Sequence, residues 1–251
     1  MRLKFILSVI LVHLTIVVSG QNHTWIGAES GFKFIGFNVT ETGTRIMTPA
    51  IPGLLKGFTA AQELKKNFLI EGGFYQNNFW NGYGFMGFGN PMWNGNETWQ
   101  IPLRLKYRQA VVEEKIGVVP HLGGSLFLIR YYGSGYGYGT MSSGAFGDTI
   151  IQNYQTRPVS YTRFVLLETG LALDFNLAKS LKLQIMSIYQ IGFIKLVEID
   201  VNYTVNGGPV QTGVVYSYGN NLSVLIGLKY RISSLWFPDP LRERSYFQFK
   251  D

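Results

Sequence analysis

Apolar and polar side chains alternate along this chain, most clearly between Thr98 and Arg130. In the first half of this stretch every second residue is apolar: Trp99, Ile101, Leu103, Leu105 and Tyr107. The residues between them are mostly polar or charged, and only an extended strand sorts such positions onto two faces. A charged turn at 113–115 precedes a second alternating run that ends near Leu128. The stretch therefore predicts a β-hairpin with one apolar face and one polar face.

The same alternation predicts about eight strands in the whole chain, over 26–34, 57–64, 68–78, 99–108, 120–128, 165–177, 183–203 and 216–231. Their connections alternate in length, with long loops at 39–56, 80–97 and 131–160 and tight turns at 65–67, 113–115 and 178–180. An antiparallel up-and-down barrel places all of its long connections at one end, as outer-membrane barrels do. A soluble sandwich with Greek-key crossovers gives no reason for this alternation.

The polar faces of these strands carry charges of both signs. Ten of them form a predicted lumen charge network: Glu29, Lys33, Glu71, Arg104, Lys106, Arg108, Glu168, Asp174, Lys229 and Arg231. A soluble barrel of the lipocalin type needs an apolar lumen, whereas a membrane barrel turns its apolar face to lipid and its polar face inward. The sequence therefore predicts an all-β fold, an eight-stranded antiparallel transmembrane β-barrel with up-and-down meander topology.

Aromatic residues on the apolar face mark the ends of the predicted strands. Trp99, Tyr203 and Tyr216 lie toward the long loops, and Tyr107 and Tyr230 lie toward the tight turns. Membrane barrels carry aromatic girdles at both lipid–water interfaces. We therefore predict these five side chains to be interfacial aromatics.

Composition agrees with this architecture and excludes several kinds of site. Among the 251 residues, charged residues make up 15%, aromatic residues make up another 15%, and there are 30 glycines and no cysteine. Without cysteine, the chain cannot form disulfides or thiolate metal sites. The mean hydropathy of +0.09 is too low for a bundle of membrane helices and fits a barrel in which alternate residues meet lipid.

The chain divides into three predicted segments. Residues 1–20 resemble a signal peptide, because basic Arg2 and Lys4 precede an apolar run and the small pair Ser19-Gly20. Without this segment the formal charge falls from +7 to +5, and no basic run has nucleic-acid spacing, so no nucleic-acid partner is expected. Residues 21–232 form the predicted barrel, and residues 233–251 form a predicted periplasmic C-terminal tail.

Candidate catalytic and cofactor motifs are weak. His121 and Ser125 lie four residues apart on one strand, a separation of about 13 Å, which is too far for a catalytic hydrogen bond. The glycine pattern at 82–87 spells a dinucleotide motif, but no helix pattern follows it. Beyond the signal segment only His23 and His121 remain as histidines. We therefore expect no catalytic residue, no metal and no cofactor.

Several segments resemble a known family. The runs I-P-L-R-L-K-Y (101–107), V-P-H-L-G-G-S-L (119–126), K-N-F-L-I-E-G-G-F-Y (66–75) and I-G-L-K-Y-R-I (226–232) look like the outer-membrane β-barrel domain of Bacteroidetes that includes PorT-like small barrels. The resemblance implies an outer membrane of a Gram-negative cell, lipid and lipopolysaccharide around the barrel, and insertion by the barrel-assembly machinery. It implies no single activity.

The function hypothesis is a non-enzymatic integral outer-membrane protein, a structural anchor whose long surface loops bind an unknown ligand or protein partner. The alternative is a secreted soluble lipocalin-like barrel that binds an apolar ligand. A lipid-modifying barrel enzyme would need a cluster of His, Ser and acidic residues on the lipid-facing surface near the loops, and the sequence shows none.

Overall fold

The structure is a computed structural model that describes residues 23–48, 52–64, 67–88, 92–112, 115–129, 135–142, 147–158 and 163–232. The predicted signal peptide (1–20) and C-terminal tail (233–251) lie outside the described residues. Within the described part no helix is long and apolar enough to cross a membrane.

Fifteen strands make up the described chain. They are β1 Thr24–Ile35, β2 Asn38–Glu41, β3 Ile46–Met47, β4 Pro52–Glu63, β5 Phe68–Phe85, β6 Met92–Tyr107, β7 Gln109–Val112, β8 Ile116–Ile129, β9 Gly135–Ser142, β10 Thr149–Pro158, β11 Arg163–Ala178, β12 Leu181–Ile191, β13 Val197–Val205, β14 Gln211–Ser217 and β15 Asn221–Ile232.

Eight of these strands close an antiparallel barrel in the order β1-β4-β5-β6-β8-β11-β12-β15, and β15 pairs back onto β1. The meander topology predicted from the alternation is confirmed. We call the end that contains the turn 178–180 the turn end and the opposite end the loop end. The strands β5 and β6 remain paired well past the barrel wall, up to Tyr83 opposite Met92, so their hairpin projects from the loop end.

A second sheet lies at the loop end, where the sequence predicted mainly loops. Its five strands run in the order β2-β14-β13-β10-β9, and we call it the surface sheet. The predicted loop 39–56 contains β2 and β3, the predicted loop 80–97 continues the β5–β6 hairpin, and the predicted loop 131–160 contains β9 and β10. The segments 80–97 and 131–160 are rich in glycine, and 39–56 contains two glycines and two prolines, so the strand pattern of these segments was obscured.

Two predicted strands are each divided in the structure. The predicted strand 183–203 is β12 followed by β13, and the predicted strand 216–231 begins in β14 and continues in β15. Both divisions lie at one level, because the Gly192 amide donates to the side chain of Asn220 at 2.8 Å and Gly219 adopts a positive φ of 81°. Added to Gly192, a Cβ would lie 1.7 Å from the Tyr218 carbonyl oxygen. The apolar alternation continues through both breaks, so it could not reveal them.

The barrel is inverted relative to a soluble protein. Leu103 is 53% exposed, whereas its sequence neighbour Arg104 is 1% exposed. On β15, Ile226 is 56% exposed, whereas Lys229 is 4% exposed. Strand β11 repeats the pattern, with exposed Leu173 beside buried Asp174. The apolar side chains thus face outward and the ionic side chains face the lumen, as a lipid-embedded barrel requires.

The inner face of the surface sheet packs over the loop end of the barrel. We call this contact the loop-end cluster; it contains Ile35, Ile46, Phe79, Tyr83, Phe85, Phe127, Ile129, Ile150, Phe164, Leu166, Leu196, Val197, Ile199, Val201, Tyr203 and Val215. Barrel strands and sheet strands both contribute. The lumen is therefore covered at this end by an ordinary hydrophobic core.

Candidate functional site: a charged lumen beneath a surface sheet

The centre of the lumen is organised around Arg104 on β6. Its Nε donates to Glu168 on β11 at 2.8 Å, and its Nη1 donates to Glu71 on β5 at 3.1 Å. All three side chains are fully buried. Arg104 stands directly opposite Glu71 in the β5–β6 register, and Glu168 lies two strands away on the other side, level with Gly123 of the intervening β8. One guanidinium therefore links strands that are not neighbours.

Two lysines complete the charge balance around Glu71 and Glu29. Lys106 lies 2.6 Å from Glu71, and Lys229 on β15 contacts both Glu71 and, at 3.0 Å, Glu29 on β1. Buried charges remain stable only when they are paired and hydrogen-bonded, and here three cations serve three carboxylates. The lumen is therefore filled by an ion-pair network that joins opposite walls.

Neutral polar groups satisfy the remaining acceptors of this network. The Tyr75 hydroxyl donates to Glu29, while Ser125 and Gln190 donate to Glu168. The Tyr75 ring has room because Gly57 faces it, and a Cβ at Gly57 would lie 2.6 Å from the ring. Tyr75, Ser125 and Gln190 lie on the same inward faces as the predicted charges, so the alternation contained the signal that would have found them.

The ten predicted lumen charges fall into two groups. Seven are buried at the centre and upper part of the barrel: Glu29, Lys33, Glu71, Arg104, Lys106, Glu168 and Lys229. Lys33 sits 4.3 Å from the centroid of the Phe127 ring, a cation–π contact beside the loop-end cluster. The other three lie toward the turn end: Asp174, Arg108 and Arg231. There Asp174 pairs with Lys182 at 2.9 Å.

The five predicted interfacial aromatics separate in the structure. Tyr107 and Tyr230 are exposed at the turn end, and Trp99 stacks on Phe74 with a centroid distance of 4.9 Å. Tyr203 and Tyr216 differ from expectation, because β13 and β14 belong to the surface sheet and not to the barrel wall.

Tyr203 is 1% exposed within the loop-end cluster, and its hydroxyl donates to Glu41 at 2.9 Å. Burial, together with this hydrogen bond to a carboxylate, raises the pKa of Tyr203 to about 12. Tyr216 is half-buried on β14, with the ammonium of Lys195 at 4.8 Å from its ring centroid. Both side chains thus serve the surface sheet.

The outer face of the surface sheet combines tyrosine with amides. Tyr138 on β9, Asn153 on β10 and Asn202 on β13 stand in one cross-strand row. Tyr138 and its neighbour on the same face, Tyr136, are 68% and 74% exposed. A cleft of about 120 Å³ runs beside this row, with Val210 on its rim. Within the described residues the Oδ1 of Asn153 has no hydrogen-bond partner.

The weak catalytic candidates do not converge. Ser125 donates to Glu168, and His121 packs its ring against the backbone of Gly170, with neither imidazole nitrogen hydrogen-bonded in the described part of the chain. The segment 82–87 with the dinucleotide spelling begins in strand β5 and ends in a turn. No cluster of three or more His, Cys, Asp or Glu side chains able to hold a metal occurs among the residues described.

Neither protein-family models nor curated proteins give a match to this sequence. Solved structures of similar form do exist. Outer membrane protein OprG from Pseudomonas aeruginosa has a TM-score of 0.46 and 13% identity, covering 86% of this chain and 99% of its own. A major outer membrane protein from Thermus thermophilus has a TM-score of 0.42 and 14% identity, covering 84% of this chain and 99% of its own. Neisserial surface protein A has a TM-score of 0.40 and 9% identity, covering 83% of this chain and 97% of its own.

The geometry of this chain itself places it in a membrane. Closed antiparallel barrels whose exterior is apolar and whose lumen is ionic occur in outer membranes, with short turns on the periplasmic side and long connections outside. The architecture is that of an integral outer-membrane β-barrel.

Proposed function

We propose that this protein is a non-enzymatic outer-membrane anchor whose surface sheet binds uncharged carbohydrate outside the cell. Membrane lipid and lipopolysaccharide surround its barrel, which the barrel-assembly machinery inserts. The observation that carries the proposal is the outer face of the surface sheet, where exposed tyrosines stand beside in-register amides.

The rigidity of that face supports recognition. The loop-end cluster fixes the sheet to the barrel through a buried apolar core, so the face is held before any ligand arrives. A preorganised surface loses little conformational entropy on binding, which favours affinity. Long irregular loops of the kind that the sequence predicted lack this advantage.

The side chains on the outer face of the surface sheet are suited to binding a sugar. Pyranose rings present C–H faces that pack on aromatic rings, and their hydroxyls pair with amide donors and acceptors. Tyr136 and Tyr138 supply the rings, and Asn153 and Asn202 supply the amides beside the cleft. The cationic Arg157 on the same face is already paired with Asp200 at 2.5 Å, so the face does not select for anions.

The lumen supports anchoring and not transport. The Arg104 network fills the middle of the barrel and the loop-end cluster covers its outer end. A lipocalin-like role, the alternative from the sequence, requires an apolar cavity in the interior. The buried ionic side chains of the described residues occupy that position instead.

A glycan array tests this function with the detergent-solubilised, refolded mature chain. We expect saturable retention of uncharged oligosaccharides by the wild type. The double variant Tyr136→Ser/Tyr138→Ser should lose about tenfold or more of that affinity, because each lost aromatic contact is worth about 0.5–1.5 kcal/mol.

The matched control is Val111→Ser/Val112→Ser, which changes two exposed apolar residues of β7 at the opposite end of the molecule. Heat-modifiable gel mobility verifies that all variants fold. If no oligosaccharide is retained, or if the tyrosine variant and the control bind equally well, the surface sheet is not a carbohydrate site.

A further inference from the structure

The outer wall of the barrel carries a lysine among its apolar side chains. Lys56 on β4 is exposed on the face that the barrel turns toward lipid, and its neighbours on the same face of β4, Leu54 and Phe58, are apolar. A lysine on the lipid-facing surface of a membrane barrel lowers stability, and the loss grows with depth in the bilayer. The position of Lys56 therefore needs a compensating interaction.

Lys56 belongs to a row of polar side chains that crosses three adjacent strands. Ser30 on β1 and Gln76 on β5 are its register partners on either side. We call Ser30, Lys56 and Gln76 the wall row. Apolar side chains border it in the register, toward the turn end and toward the loop end: Ala28, Phe58 and Phe74, and Phe32 and Leu54.

The strands of the wall row place their carboxylates elsewhere. Glu29 on β1 and Glu71 on β5 face the lumen and belong to its ion-pair network. Glu63, the acidic residue of β4, lies at the turn-end terminus of that strand and accepts a hydrogen bond from Trp25. On their outer face the described residues of β1, β4 and β5 thus offer no anion to Lys56.

The wall row lies in the half of the wall nearer the loop end. Lys56 is the fifth of the 12 residues of β4, which begins at the loop end with Pro52. Gln76 stands opposite Trp99 on β6, and indole rings concentrate at the lipid–water interface. The flexible stem of a lysine lets its ammonium extend toward that interface. The ammonium of Lys56 can therefore reach the lipid head groups at the loop end.

We propose that the wall row binds a phosphate group of lipid A, the phosphorylated glycolipid that anchors lipopolysaccharide. Lysine attracts phosphate as a point charge, and the amide of Gln76 and the hydroxyl of Ser30 can donate hydrogen bonds beside it. The apolar rows on both sides suit acyl chains. The choice of lipid A rests on the proposed function, in which the surface sheet lies outside the cell and lipopolysaccharide surrounds the barrel.

Native mass spectrometry of the refolded mature chain in non-ionic detergent, titrated with lipid A, tests the site. The wild type should retain one lipid A molecule more tightly than phosphatidylglycerol. Lys56→Gln should bind lipid A about tenfold more weakly, because a hydrogen bond to a charged group is lost. Gln76→Leu keeps the charge and should weaken binding about threefold. Equal retention of the two lipids by the wild type overturns the assignment to lipid A.

The matched control is Lys179→Gln, which removes the same charge from an exposed lysine in the turn 178–180, at the opposite end of the barrel. It should bind lipid A as tightly as the wild type, and Lys56→Arg should keep most of the affinity. Equal weakening by Lys56→Gln and Lys179→Gln would indicate a general effect of net charge and overturn the proposal. So would a Lys56-dependent dimer without lipid, because the wall row would then contact a second copy of the chain.

Urea unfolding in vesicles separates a bound phosphate from a lysine that only extends to the interface. In phosphatidylcholine vesicles Lys56→Leu should have a higher urea midpoint than the wild type, because a charge leaves the lipid-facing surface. Added lipid A should raise the midpoint of the wild type and not that of Lys56→Leu, since a ligand stabilises the folded state that binds it. The same difference between the two chains in both kinds of vesicle overturns the proposal.

The lipid site and the carbohydrate site can fail separately. Tyr136→Ser/Tyr138→Ser should leave lipid A binding unchanged, whereas Lys56→Gln should leave oligosaccharide binding on the array unchanged. A wild type that retains oligosaccharides but not lipid A refutes the wall row as a site and keeps the proposed function. A wild type that retains lipid A but no oligosaccharide refutes the carbohydrate site and keeps the wall row.

Discussion

The molecule has two buried regions, the lumen of the barrel and the loop-end cluster, and their side chains differ in chemistry. The lumen of the barrel buries arginine, lysine and glutamate, whereas the loop-end cluster beneath the surface sheet buries isoleucine, valine and phenylalanine. Both are well enclosed. Their difference shows that the surrounding solvent, and not burial itself, decides which residues turn inward, because lipid accepts the apolar face that water rejects.

Strands β12 and β13 show this change within one length of chain. Ile185 and Tyr189 on β12 are exposed on the barrel wall, and Ile199 and Val201 on β13 are buried in the loop-end cluster. The period of two is the same in both strands. Only their position differs, since β12 crosses the membrane and β13 lies in water beyond it.

The largest loss of stability should follow from removing a charged side chain from the buried ion-pair network of the lumen. Arg104→Met keeps much of the side-chain volume but leaves Glu71 and Glu168 without the guanidinium that joins them. Removing one member of a buried ion pair costs about 3–5 kcal/mol. Urea unfolding in lipid vesicles, followed by gel mobility, should show a loss of that size in the free energy of unfolding.

The double variant Arg104→Met/Glu168→Gln is the control for this explanation. Glu71 keeps its ion pairs with Lys106 and Lys229 in Arg104→Met, whereas Glu168 loses its ion pair with Arg104. The second substitution removes the Glu168 charge, so the double variant should recover part of the stability that Arg104→Met loses. A double variant that is less stable than the single one would indicate that Arg104 acts through packing and not through charge.

A substitution at Leu103, the neighbour of Arg104 on β6, tests whether the outer face of the barrel meets lipid. Leu103 faces outward near the middle of the membrane-spanning part of β6, so Leu103→Arg places a cation in hydrocarbon. Such a substitution costs about 2–4 kcal/mol at the bilayer midplane. The matched change Thr140→Arg, on the exposed face of the surface sheet, should alter stability by no more than about 0.5 kcal/mol. Equal costs at the two positions would contradict a lipid-facing barrel wall.

Much of the barrel could be predicted from sequence, because its one rule, apolar outward and polar inward, repeats along every strand. Glu71, Arg104 and Glu168 were found this way. The pairing among them was not, since Glu168 meets Arg104 over the intervening strand β8, level with Gly123. Which residues stand in one row depends on the register between strands that are distant in sequence, and no local pattern encodes that register.

The surface sheet escaped prediction for a different reason. Strand β9 reads G-Y-G-Y-G-T-M-S, in which glycine occupies three of the four positions on one face, so no apolar face is visible. Its inner side is instead occupied by the Tyr154 ring of β10, which covers Gly137 so closely that a Cβ there would lie 2.2 Å from the ring. Packing supplied by the neighbouring strand replaces the pattern that β9 lacks.

The smallest loss of stability is expected from removing the hydrogen bond between Tyr203 on β13 and Glu41 on β2. Tyr203→Phe removes the 2.9 Å bond to Glu41, whose carboxylate still accepts from the backbone of Ile46 at 3.1 Å. The expected cost is therefore only about 0.5–1.5 kcal/mol, visible as faster limited proteolysis of the surface sheet while the barrel stays folded.

The stabilisation of the surface sheet by the Tyr203 hydroxyl should also depend on pH. The pKa of Tyr203 is about 12 in the folded protein, above the ordinary value of 10.0, because burial and Glu41 favour the neutral phenol. Its stabilising effect is complete below pH 10 and is lost as the pH rises toward 12. The proteolytic advantage of the wild type over Tyr203→Phe should therefore narrow across that interval. A constant advantage would mean that the phenol is not the titrating group, and the sheet would then be held chiefly by the apolar cluster beneath it.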